Sequence, residues 1–371
     1  MTTIAVLKAG GDARAAATPD TVKKMTGLGL DVVVERGAGA RAGIPDTAFE
    51  AAGAKSADDA LTGADAALVV EAPTGGLPEG LTLIGQLDPY DAQDRVEAWA
   101  KAKIDAFAME LVPRITRAQA MDVLSSQANL AGYKAVIDAA SAYGRAFPMM
   151  MTAAGTVPPA KVFVMGAGVA GLQAIATAKR LGAVVSATDV RIAAKEQVES
   201  LGGTFVVADE DAMRAMETEG GYAKEVSADF RAKQAEHVKA HLAKMDVVIT
   251  TALIPGRPAP KLITNAMLSG MKPGSVVLDL AAPRGGNVEG DADGVTLLRP
   301  KNILDGLPGE ASNLYARNLL AFLTLIYDAE AKTLKPDPDD EIVRGAQLTR
   351  GGQVVHERFG GAANTGAPHA D

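Results

Sequence analysis

The sequence predicts an α/β protein built from two doubly wound domains that are joined by long helices. The chain has 371 residues, a length that suits two domains of ordinary size, each able to bury its own core. Short apolar runs alternate with longer segments of helical periodicity, and this alternation is typical of βαβ units with a parallel sheet. The strand candidates of the second half are apolar along their whole length, as expected for strands covered by helices on both faces.

The first domain is predicted to combine residues 1–125 with residues 312–371. Its strand candidates are residues 4–7, 31–35, 66–70, 81–84 and 106–109. Helices are expected over residues 19–28, 46–52 and 314–328. The first of these helices begins with Pro19 and follows Thr18, and both residue types are favoured at those positions of a helix start.

The second domain is predicted over residues 126–311. A long helix over residues 117–141 connects the two halves, and residues 147–159, which are rich in Met, Gly and Pro, are interpreted as a connection. The strand candidates are residues 162–165, 184–187, 205–207, 247–250 and 276–279. These apolar strands indicate a Rossmann-like sheet with helices on both faces.

The composition excludes several classes of function. A net charge of −8 argues against nucleic-acid binding, because phosphate contacts need Lys and Arg concentrated on one surface. The chain has no Cys, so disulfides, thiolate metal sites and a cysteine nucleophile are excluded. No metal site is predicted: His237 and His241 are four residues apart, but they lie among Lys and Glu without an acidic third ligand, so a solvated helix face is expected. No apolar run is long and uninterrupted enough to cross a bilayer, which predicts a soluble protein.

A glycine-rich turn follows the first strand of the second domain: Gly166-Ala167-Gly168-Val169-Ala170-Gly171. In a strand–turn–helix unit the first glycine allows the tight turn, the second lets the backbone approach a pyrophosphate, and the third lets the helix close on the strand. The pyrophosphate then lies at the helix N-terminus, where free N–H groups and the helix dipole favour an anion. The turn therefore predicts a dinucleotide site that includes Val169 and Ala170.

An acidic residue follows the next strand candidate at a matching distance. Asp189 comes after the last glycine of the motif, Gly171, at close to the expected spacing of about 20 residues. A carboxylate here accepts hydrogen bonds from ribose hydroxyls and repels a 2′-phosphate, which favours NAD over NADP. Val190 and Arg191 follow directly and are predicted to belong to the same site, although the charge of Arg191 weakens the preference for NAD. A glycine-rich turn without a ligand is the alternative.

Two segments of the chain strongly resemble the NAD(H)-binding domain I of the proton-translocating NAD(P) transhydrogenases. They are residues 109–133 (MELVPRITRAQAMDVLSSQANLAGY) and 147–160 (FPMMMTAAGTVPPA). Residues 172–182, 196–203 and 250–256 extend the resemblance. It is dense through the middle of the chain and loose in the N-terminal third. The family is related to alanine dehydrogenase, which shares the two-domain architecture.

The resemblance implies a homodimer in which bound NADH passes a hydride to NADP⁺ held on a partner subunit. The family couples this transfer to proton movement through a membrane domain, and in many members all parts are fused. This chain resembles the separate soluble alpha subunit. The resemblance therefore implies a cytoplasmic protein that NADP-binding and membrane-spanning partner subunits hold at the inner face of the membrane. NAD is expected in the cleft between the two domains.

By the same resemblance, Arg114, Gln119, Asp122 and Ser125 are the catalytic residues that hold the nicotinamide end of NAD(H), and Tyr222 closes over the bound nucleotide from a mobile loop. Transfer between two nicotinamides needs no general acid or base, but it needs polar groups that fix the carboxamide and hold the rings at near-attack distance. Arg and Gln can donate to the amide oxygen, while Asp and Ser can accept from its NH₂ group. Helix capping and surface polarity are the alternative roles for these residues.

Two other functions stay open. An alanine-dehydrogenase-like amino-acid dehydrogenase needs a cationic pair for the substrate carboxylate and a His for proton transfer. Arg14 matches one cationic position loosely, but the Lys is expected near Glu71 and the His near Gln86, and none of the four His lies in the first 236 residues. That activity is therefore disfavoured. A non-catalytic subunit that binds NADH as a sensor is the third possibility.

Overall fold

The computed structural model describes residues 2–215, 228–254 and 256–360. The chain divides into two compact units, a first unit of Met1–Gln127 with Leu304–Asp371 and a second unit of Ala128–Ile303. Each unit contains a six-stranded sheet in which all neighbouring strands are parallel. The predicted fold class, two Rossmann-like α/β domains, is therefore confirmed.

The first unit begins with two βα segments, which are followed by three strands, a helix and a sixth strand. Its strands are β1 (Thr3–Val6), β2 (Asp31–Glu35), β3 (Lys55–Ala57), β4 (Ala66–Val69), β5 (Thr82–Gly85) and β6 (Asp105–Ala108), and its first helices are α1 (Pro19–Gly27), α2 (Asp46–Ala51) and α3 (Gln93–Lys101). The strand order is β3-β2-β1-β4-β5-β6. Ile4 and Val6 belong to one buried apolar cluster, whereas Ala5 and Leu7 belong to another. Because successive residues of a strand point to opposite faces, both faces of the sheet are covered.

Helix α4 (Val123–Ala142) begins in the first unit and ends in the second. The prediction of a helix from residue 117 is wrong at this end, because Thr116–Met121 form a 3-10 helix instead. Asp122 then caps α4, since its Oδ1 atom accepts a hydrogen bond of 2.8 Å from the backbone N–H of Ser125. Asp favours the N-cap over the helix interior, which explains why the regular helix starts only at Val123.

The second unit opens with an antiparallel hairpin and continues with the second parallel sheet. The hairpin strands are β7 (Met150–Thr152) and β8 (Gly155–Val157). The sheet strands are β9 (Lys161–Met165), β10 (Val184–Thr188), β11 (Thr204–Phe205), β12 (Val247–Thr250), β13 (Ser275–Asp279) and β14 (Val295–Leu298), and the helices are α5 (Val169–Arg180), α6 (Ala194–Ser200), α7 (Glu210–Ala215), α8 (Ala228–Leu242) and α9 (Asn265–Ser269). The strand order is β11-β10-β9-β12-β13-β14. Val162 and Val164 belong to one apolar cluster and Phe163 and Met165 to another, so this sheet is also covered on both faces.

The two strands of the six-stranded sheets that the sequence does not predict lie at the sheet edges. β3 and β14 are edge strands, and their residues are half-buried or exposed. They therefore lack the continuous apolar run that marks the central strands.

The last segment of the chain completes the first unit. It contains α10 (Pro308–Ile326), β15 (Tyr327–Asp328), β16 (Thr333–Leu334), α11 (Glu341–Ala346), β17 (Thr349–Arg350) and β18 (Gln353–Val354). Helix α10 starts at Pro308 rather than at the predicted residue 314, in agreement with the preference of Pro for the first turn. Its Phe322 ring packs 5.4 Å from the Phe107 ring of β6. In the described ranges, no helix combines the length and the apolar character needed to cross a bilayer.

Candidate functional site

The glycine-rich turn of the second unit joins β9 to α5 in three residues, Gly166 to Gly168. Gly166 has a φ of +104°, and a Cβ atom there would lie 2.5 Å from Thr251 Oγ1. A Cβ atom on Gly171 would lie 1.8 Å from the Gly166 carbonyl oxygen. Both positions therefore exclude a side chain. At Gly168 an added Cβ would have no heavy atom of the described residues within 4 Å apart from its chain neighbours, so the backbone there borders open space.

The start of α5 offers N–H groups to a ligand. Its N-cap is Gly168, which supplies no side-chain hydrogen bond, and the first intrahelical bond runs from the Leu172 N–H to the Gly168 oxygen at 2.8 Å. The N–H groups of the first turn have no intrahelical acceptor, and they lie at the positive end of the helix dipole. Helix α4 packs closely against the first turn of α5, since a Cβ on Gly132 would lie 2.1 Å from the Ala170 oxygen. The turn can thus bind a phosphate through its backbone.

Asp189 follows β10 and contacts both the glycine-rich turn and its own neighbour. Its Oδ2 atom accepts a hydrogen bond of 2.7 Å from the Ala167 N–H, and its Oδ1 atom accepts from the backbone N–H and the Nε of Arg191, each at 2.9 Å. Burial opposes ionisation of this carboxyl, but the hydrogen bonds from Arg191 and Ala167 outweigh it and hold its pKa below the ordinary value. Asp189 is therefore a carboxylate at neutral pH, and Arg191 partly neutralises it.

Exposed apolar side chains surround this edge of the sheet. Val169, Val190, Leu253 and Ile254 have exposed fractions of 38%, 71%, 52% and 46%. All four follow the carboxyl ends of β9, β10 or β12. The strand order reverses between β9 and β12, and ligands of open α/β sheets bind outside the carboxyl ends of the strands at such a switch point. These side chains offer an apolar surface beside the polar turn.

Two buried polar residues that the sequence analysis does not identify hold the neighbouring loops. Asp279, at the end of β13, accepts hydrogen bonds from the Thr250 hydroxyl and from the N–H groups of Ala281 and Asn287. The Asn287 side chain in turn bonds both the N–H and the oxygen of Ala252. Both residues are fully buried. The signal available in the sequence is the acid that ends the apolar strand β13.

The predicted nicotinamide-binding residues lie in the first unit, on the segment between β6 and α4. Asp122 and Ser125 are in contact, because the Ser125 hydroxyl donates a hydrogen bond of 2.6 Å to Asp122 Oδ2. Asp122 precedes α4 as its cap and does not lie inside the helix predicted over residues 117–141. Arg114 and Gln119 are exposed. The cap fixes the orientation of Asp122 and Ser125, both half-buried, while the longer Arg114 and Gln119 side chains remain accessible to a ligand.

Two contacts anchor the beginning of that segment. Glu110 Oε1 accepts hydrogen bonds from the N–H groups of Leu87 (2.8 Å) and Asp88 (2.5 Å), whereas its buried Oε2 atom has no hydrogen-bond partner among the described residues. Burial raises the pKa of Glu110 to about 7, against the lowering effect of the backbone donors. Arg117 Nη1 donates to Asp340 Oδ2 at 2.6 Å. Glu110 is therefore partly protonated near neutral pH.

Arg14, the candidate carboxylate-binding cation, is buried and paired. Its Nε and Nη2 atoms bond the Asp12 carboxylate at 2.7–3.1 Å, and its Nη1 atom bonds Gln86 Oε1 at 3.2 Å and Gln127 Oε1 at 2.9 Å. The exposed fractions of Asp12 and Arg14 are both 9%. The guanidinium charge is thus compensated inside the protein.

His237 and His241 differ in environment. His237 is exposed, as expected for a solvated helix face. That expectation is wrong for His241, whose Nε2 atom lies 2.8 Å from the Ser186 hydroxyl and whose ring packs edge-on against Phe163. Burial, followed by the charges of His237 and Lys244, lowers the pKa of His241. This histidine therefore packs α8 against the sheet. Tyr222 lies outside the described residues.

The chain is similar to known proteins over most of its length. Residues 8–131 match the family model "Alanine dehydrogenase/PNT, N-terminal domain", and residues 135–357 match the corresponding C-terminal domain. An NAD(P) transhydrogenase alpha subunit of Rhodospirillum rubrum is 53% identical over 95% of this chain and 96% of that protein. The alanine dehydrogenase of Mycobacterium tuberculosis is 30% identical over 75% of this chain and 71% of that protein.

The solved structures show the same relationship. A transhydrogenase crystal structure from Sinorhizobium meliloti has a TM-score of 0.85 and 51% identity, covering 95% of this chain and 100% of that one. An L-alanine dehydrogenase shares the fold at a TM-score of 0.79 and 22% identity, covering 96% of this chain and 98% of that one. The chain therefore belongs to the alanine dehydrogenase/PNT family, with transhydrogenase alpha subunits among its close relatives and alanine dehydrogenases among its distant ones.

Proposed function

We propose that this chain is the NAD(H)-binding subunit of a proton-translocating transhydrogenase and passes a hydride between NADH and NADP⁺ held on a partner subunit. The observation that carries the proposal is the start of α5, where an uncapped helix N-terminus follows a turn that excludes side chains at Gly166 and Gly171. Backbone N–H groups there bind the pyrophosphate, and Val169 and Ala170 supply two of them. The open space beside Gly168 is where the pyrophosphate approaches the backbone.

We further propose that the dinucleotide is NAD(H). Asp189 is charged and fixed by the Ala167 N–H, so it can accept hydrogen bonds from the ribose hydroxyls and repel a 2′-phosphate. Arg191 lies on the same carboxylate and reduces its negative charge without replacing it. Val190, which is 71% exposed, adds apolar contact area beside the ribose.

The nicotinamide end is assigned to Arg114, Gln119, Asp122 and Ser125. When bound, the dinucleotide supplies the hydride. The protein groups are needed only to fix the carboxamide and to keep water away, because no proton moves between oxygen or nitrogen atoms in this transfer. Arg114 and Gln119 donate to the amide oxygen, and the Asp122 carboxylate, held by Ser125, accepts from the NH₂ group. Tyr222 is assigned, from the resemblance alone, to close over the nucleotide.

The buried cation of the first unit argues against an amino-acid dehydrogenase. A substrate carboxylate needs a cation with free donors, yet Arg14 directs its Nε and Nη2 atoms at Asp12. Near the position where that activity requires a Lys, Glu71 accepts a hydrogen bond from the Gly11 N–H. Gln86 stands near the position of the acid–base His and contacts Arg14. A sensing subunit without hydride exchange remains the second alternative.

We propose that the chain works as a homodimer bound to NADP-binding and membrane-spanning partner subunits, which hold it at the inner, cytoplasmic face of the membrane. The β7–β8 hairpin supports self-association. Its Met150 and Met151 side chains and the preceding Met149 have exposed fractions of 43%, 80% and 60%. A two-stranded hairpin is marginally stable in water, and clustered exposed apolar side chains mark interaction surfaces. A two-fold symmetric pair would cover this surface on both copies.

The deciding experiment is hydride transfer from NADH to NADP⁺, measured with the full chain alone and with its NADP-binding partner subunit added. We expect transfer only when the partner is present, and we expect the chain alone to bind NADH more tightly than NADPH. A parallel reaction contains pyruvate and ammonium in place of NADP⁺. NADH oxidation in that reaction would establish an amino-acid dehydrogenase instead. NADH binding without either reaction would favour a sensor.

A further inference from the structure

The buried side-chain amide of Asn318 forms hydrogen bonds to residues on both sides of Asp122. Asn318 lies on α10, with an exposed fraction of 7%. Its Nδ2 atom donates a hydrogen bond of 2.7 Å to the Ala120 oxygen, and its Oδ1 atom accepts one of 2.7 Å from the Ser126 hydroxyl. Because a backbone carbonyl can only accept, the Ala120 oxygen fixes which end of the amide faces it. One side chain thus bridges the residues that precede and follow Asp122 and Ser125.

The second contact of this bridge is itself held by buried groups. Gln127 Nε2 donates to the Ser126 hydroxyl at 3.2 Å, and Gln127 Oε1 accepts from Arg14 Nη1 at 2.9 Å. Arg14 in turn is paired with Asp12. Gln127, Arg14 and Asp12 have exposed fractions of 6–9%. A continuous chain of buried and partly buried hydrogen bonds therefore runs from the β1–α1 loop through α4 to Asn318 and ends on the Ala120 carbonyl.

The position of Asn318 is unusual for its helix. Its neighbours Tyr315, Leu319 and Phe322 on α10 are fully buried, and all three belong to the apolar cluster that fills this side of the first unit. A Leu at position 318 would serve packing without the desolvation cost of an amide. What the amide adds is two directed hydrogen bonds to the 3-10 helix and to the first turn of α4.

We propose that Asn318 is a positioning residue for the nicotinamide end of the site: it sets the place of Gln119 and Asp122 by holding Ala120 and Ser126, without touching the cofactor. This inference rests on the proposed function. It differs from a stability role, because a misplacement of about 1 Å at a reacting centre can slow a reaction by about a hundredfold.

The test compares Asn318→Asp with Ser312→Ala in the full chain. Asn318→Asp keeps the shape and the acceptor for Ser126 but, once ionised, has no donor for the Ala120 oxygen. Ser312→Ala is the matched control, because Ser312 is also buried on α10 but accepts its hydrogen bond from the Ala15 N–H, remote in sequence from the Asp122 segment. Each variant removes one hydrogen bond between α10 and another segment, and Ser312→Ala also removes the bond from the Ser312 hydroxyl to the Pro308 oxygen within α10.

Two readouts are expected to separate the variants. In the ligand-free chain, Asn318→Asp raises amide hydrogen exchange over residues 114–126 about tenfold, while Ser312→Ala leaves it within about twofold. With the partner subunit present, Asn318→Asp slows transfer from NADH to NADP⁺ about tenfold at an NADH affinity within about twofold of the original. Adding Asn318→Asp to Asp122→Asn then causes no further slowing, because both act through the same contact.

The outcomes distinguish this inference from the proposed function. If Asp122→Asn slows transfer and Asn318→Asp changes neither transfer nor exchange, the positioning role is overturned and the proposed function stands. If Asp122→Asn transfers hydride at the original rate, the assignment of the nicotinamide end fails first. If Asn318→Asp does not fold, Ser126→Ala removes the other hydrogen bond of the Asn318 side chain, and the same two quantities are measured for it.

Discussion

The two sheets have the same topology, yet the helix that follows the first strand starts differently in each unit. In the first unit, residues 7–18 separate β1 from α1, and Thr18 and Thr21 cap α1 reciprocally through their side chains. In the second unit, residues 166–168 separate β9 from α5, and no side chain in the described part of the chain caps α5. The first helix thus has a first-turn N–H group bonded by a side chain, whereas the cap residue of the second provides no such bond.

The same difference extends to the loop donors beside each switch point. In the first unit, Glu71, which follows β4, accepts a hydrogen bond of 2.7 Å from the Gly11 N–H. In the second unit, the residue that follows β12 is Thr251, whose hydroxyl donates to the Gly166 oxygen and accepts from no turn N–H group. The Ala167 N–H of that turn donates to Asp189, so an external anion can use only the N–H groups further on, at the start of α5. The shared topology therefore gives both units a switch point where a ligand could bind, and whether one binds there depends on the local residues.

One methyl group added to the glycine-containing segment after the first strand should affect the two units very differently. In Gly171→Ala, the new Cβ lies 1.8 Å from the Gly166 oxygen, so α5 must move away from β9. We expect a loss of about 3 kcal/mol or more of folding free energy and loss of NADH binding in a fluorescence titration. The control is Gly11→Ala, whose Cβ meets Glu71 at an ordinary 3.6 Å and should leave both quantities near their original values. Equal behaviour of the two variants would mean that the two loops are equivalent.

The buried acids of the two units also differ, and Glu110→Gln tests that difference. Asp189 is ionised by its donors, while burial raises the pKa of Glu110 to about 7 from an ordinary value of 4.5. Between about pH 4.5 and pH 7 the folded state therefore holds a proton that the unfolded state has released, so stability falls as pH rises through this window. The pKa difference corresponds to about 3 kcal/mol at most. Glu110→Gln should match the original stability at pH 5 and exceed it at pH 8, as measured by denaturant unfolding.

Replacing Glu110 tests its charge because the amide keeps the acceptor for Leu87 and Asp88. The opposite change, Asp189→Asn, removes a carboxylate that is stabilised by its donors. The resulting loss of folding free energy should be complete above the ordinary Asp pKa and should shrink as pH falls below it. A stability difference between Glu110→Gln and the original chain that is the same at pH 5 and pH 8 would show that Glu110 does not titrate in this range.

The sequence predicts the second unit's turn better than the first unit's polar segment, for a physical reason. The glycines of the turn are needed for local reasons, such as the positive φ of Gly166 and the close contact between Gly171 and Gly166. Because these reasons are local, the glycines recur at a fixed spacing that can be recognised in a sequence. The hydrogen bond from Asn318 to Ala120 joins residues almost 200 positions apart, and nothing in the sequence around either residue indicates it. Asn287 also bonds residues that are distant in sequence, Ala252 and Pro260 in the segment after β12, whereas the only signal for Asp279 is its place at the end of the apolar strand β13.

The start of α4 lies between these cases. The apolar periodicity predicts one helix from residue 117, but Asp122 and Ser125 form a local capping arrangement that the sequence contains. The prediction is wrong at this end because periodicity alone does not register the preference of Asp for a helix start.

Two substitutions exchange the kind of helix start between the units, with small effects on stability. Thr18→Ala removes the cap of α1 and should cost about 1 kcal/mol of folding free energy, with NADH affinity unchanged, because the first unit satisfies its own donors. Gly168→Ser makes the reverse change and gives α5 a cap. Ser and Gly differ by only a few tenths of a kcal/mol at this position, so the fold should keep its stability.

The two variants therefore separate stability from binding. In Gly168→Ser the new hydroxyl accepts from the first-turn N–H groups and enters the open space beside residue 168, so NADH binding should weaken about tenfold while unfolding is unchanged. In Thr18→Ala, unfolding changes and binding does not. NADH titration and denaturant unfolding of the same two preparations measure both quantities. If Gly168→Ser binds NADH as well as the original chain does, the uncapped start of α5 is not where the anion lies, and the difference between the two units is one of loop length alone.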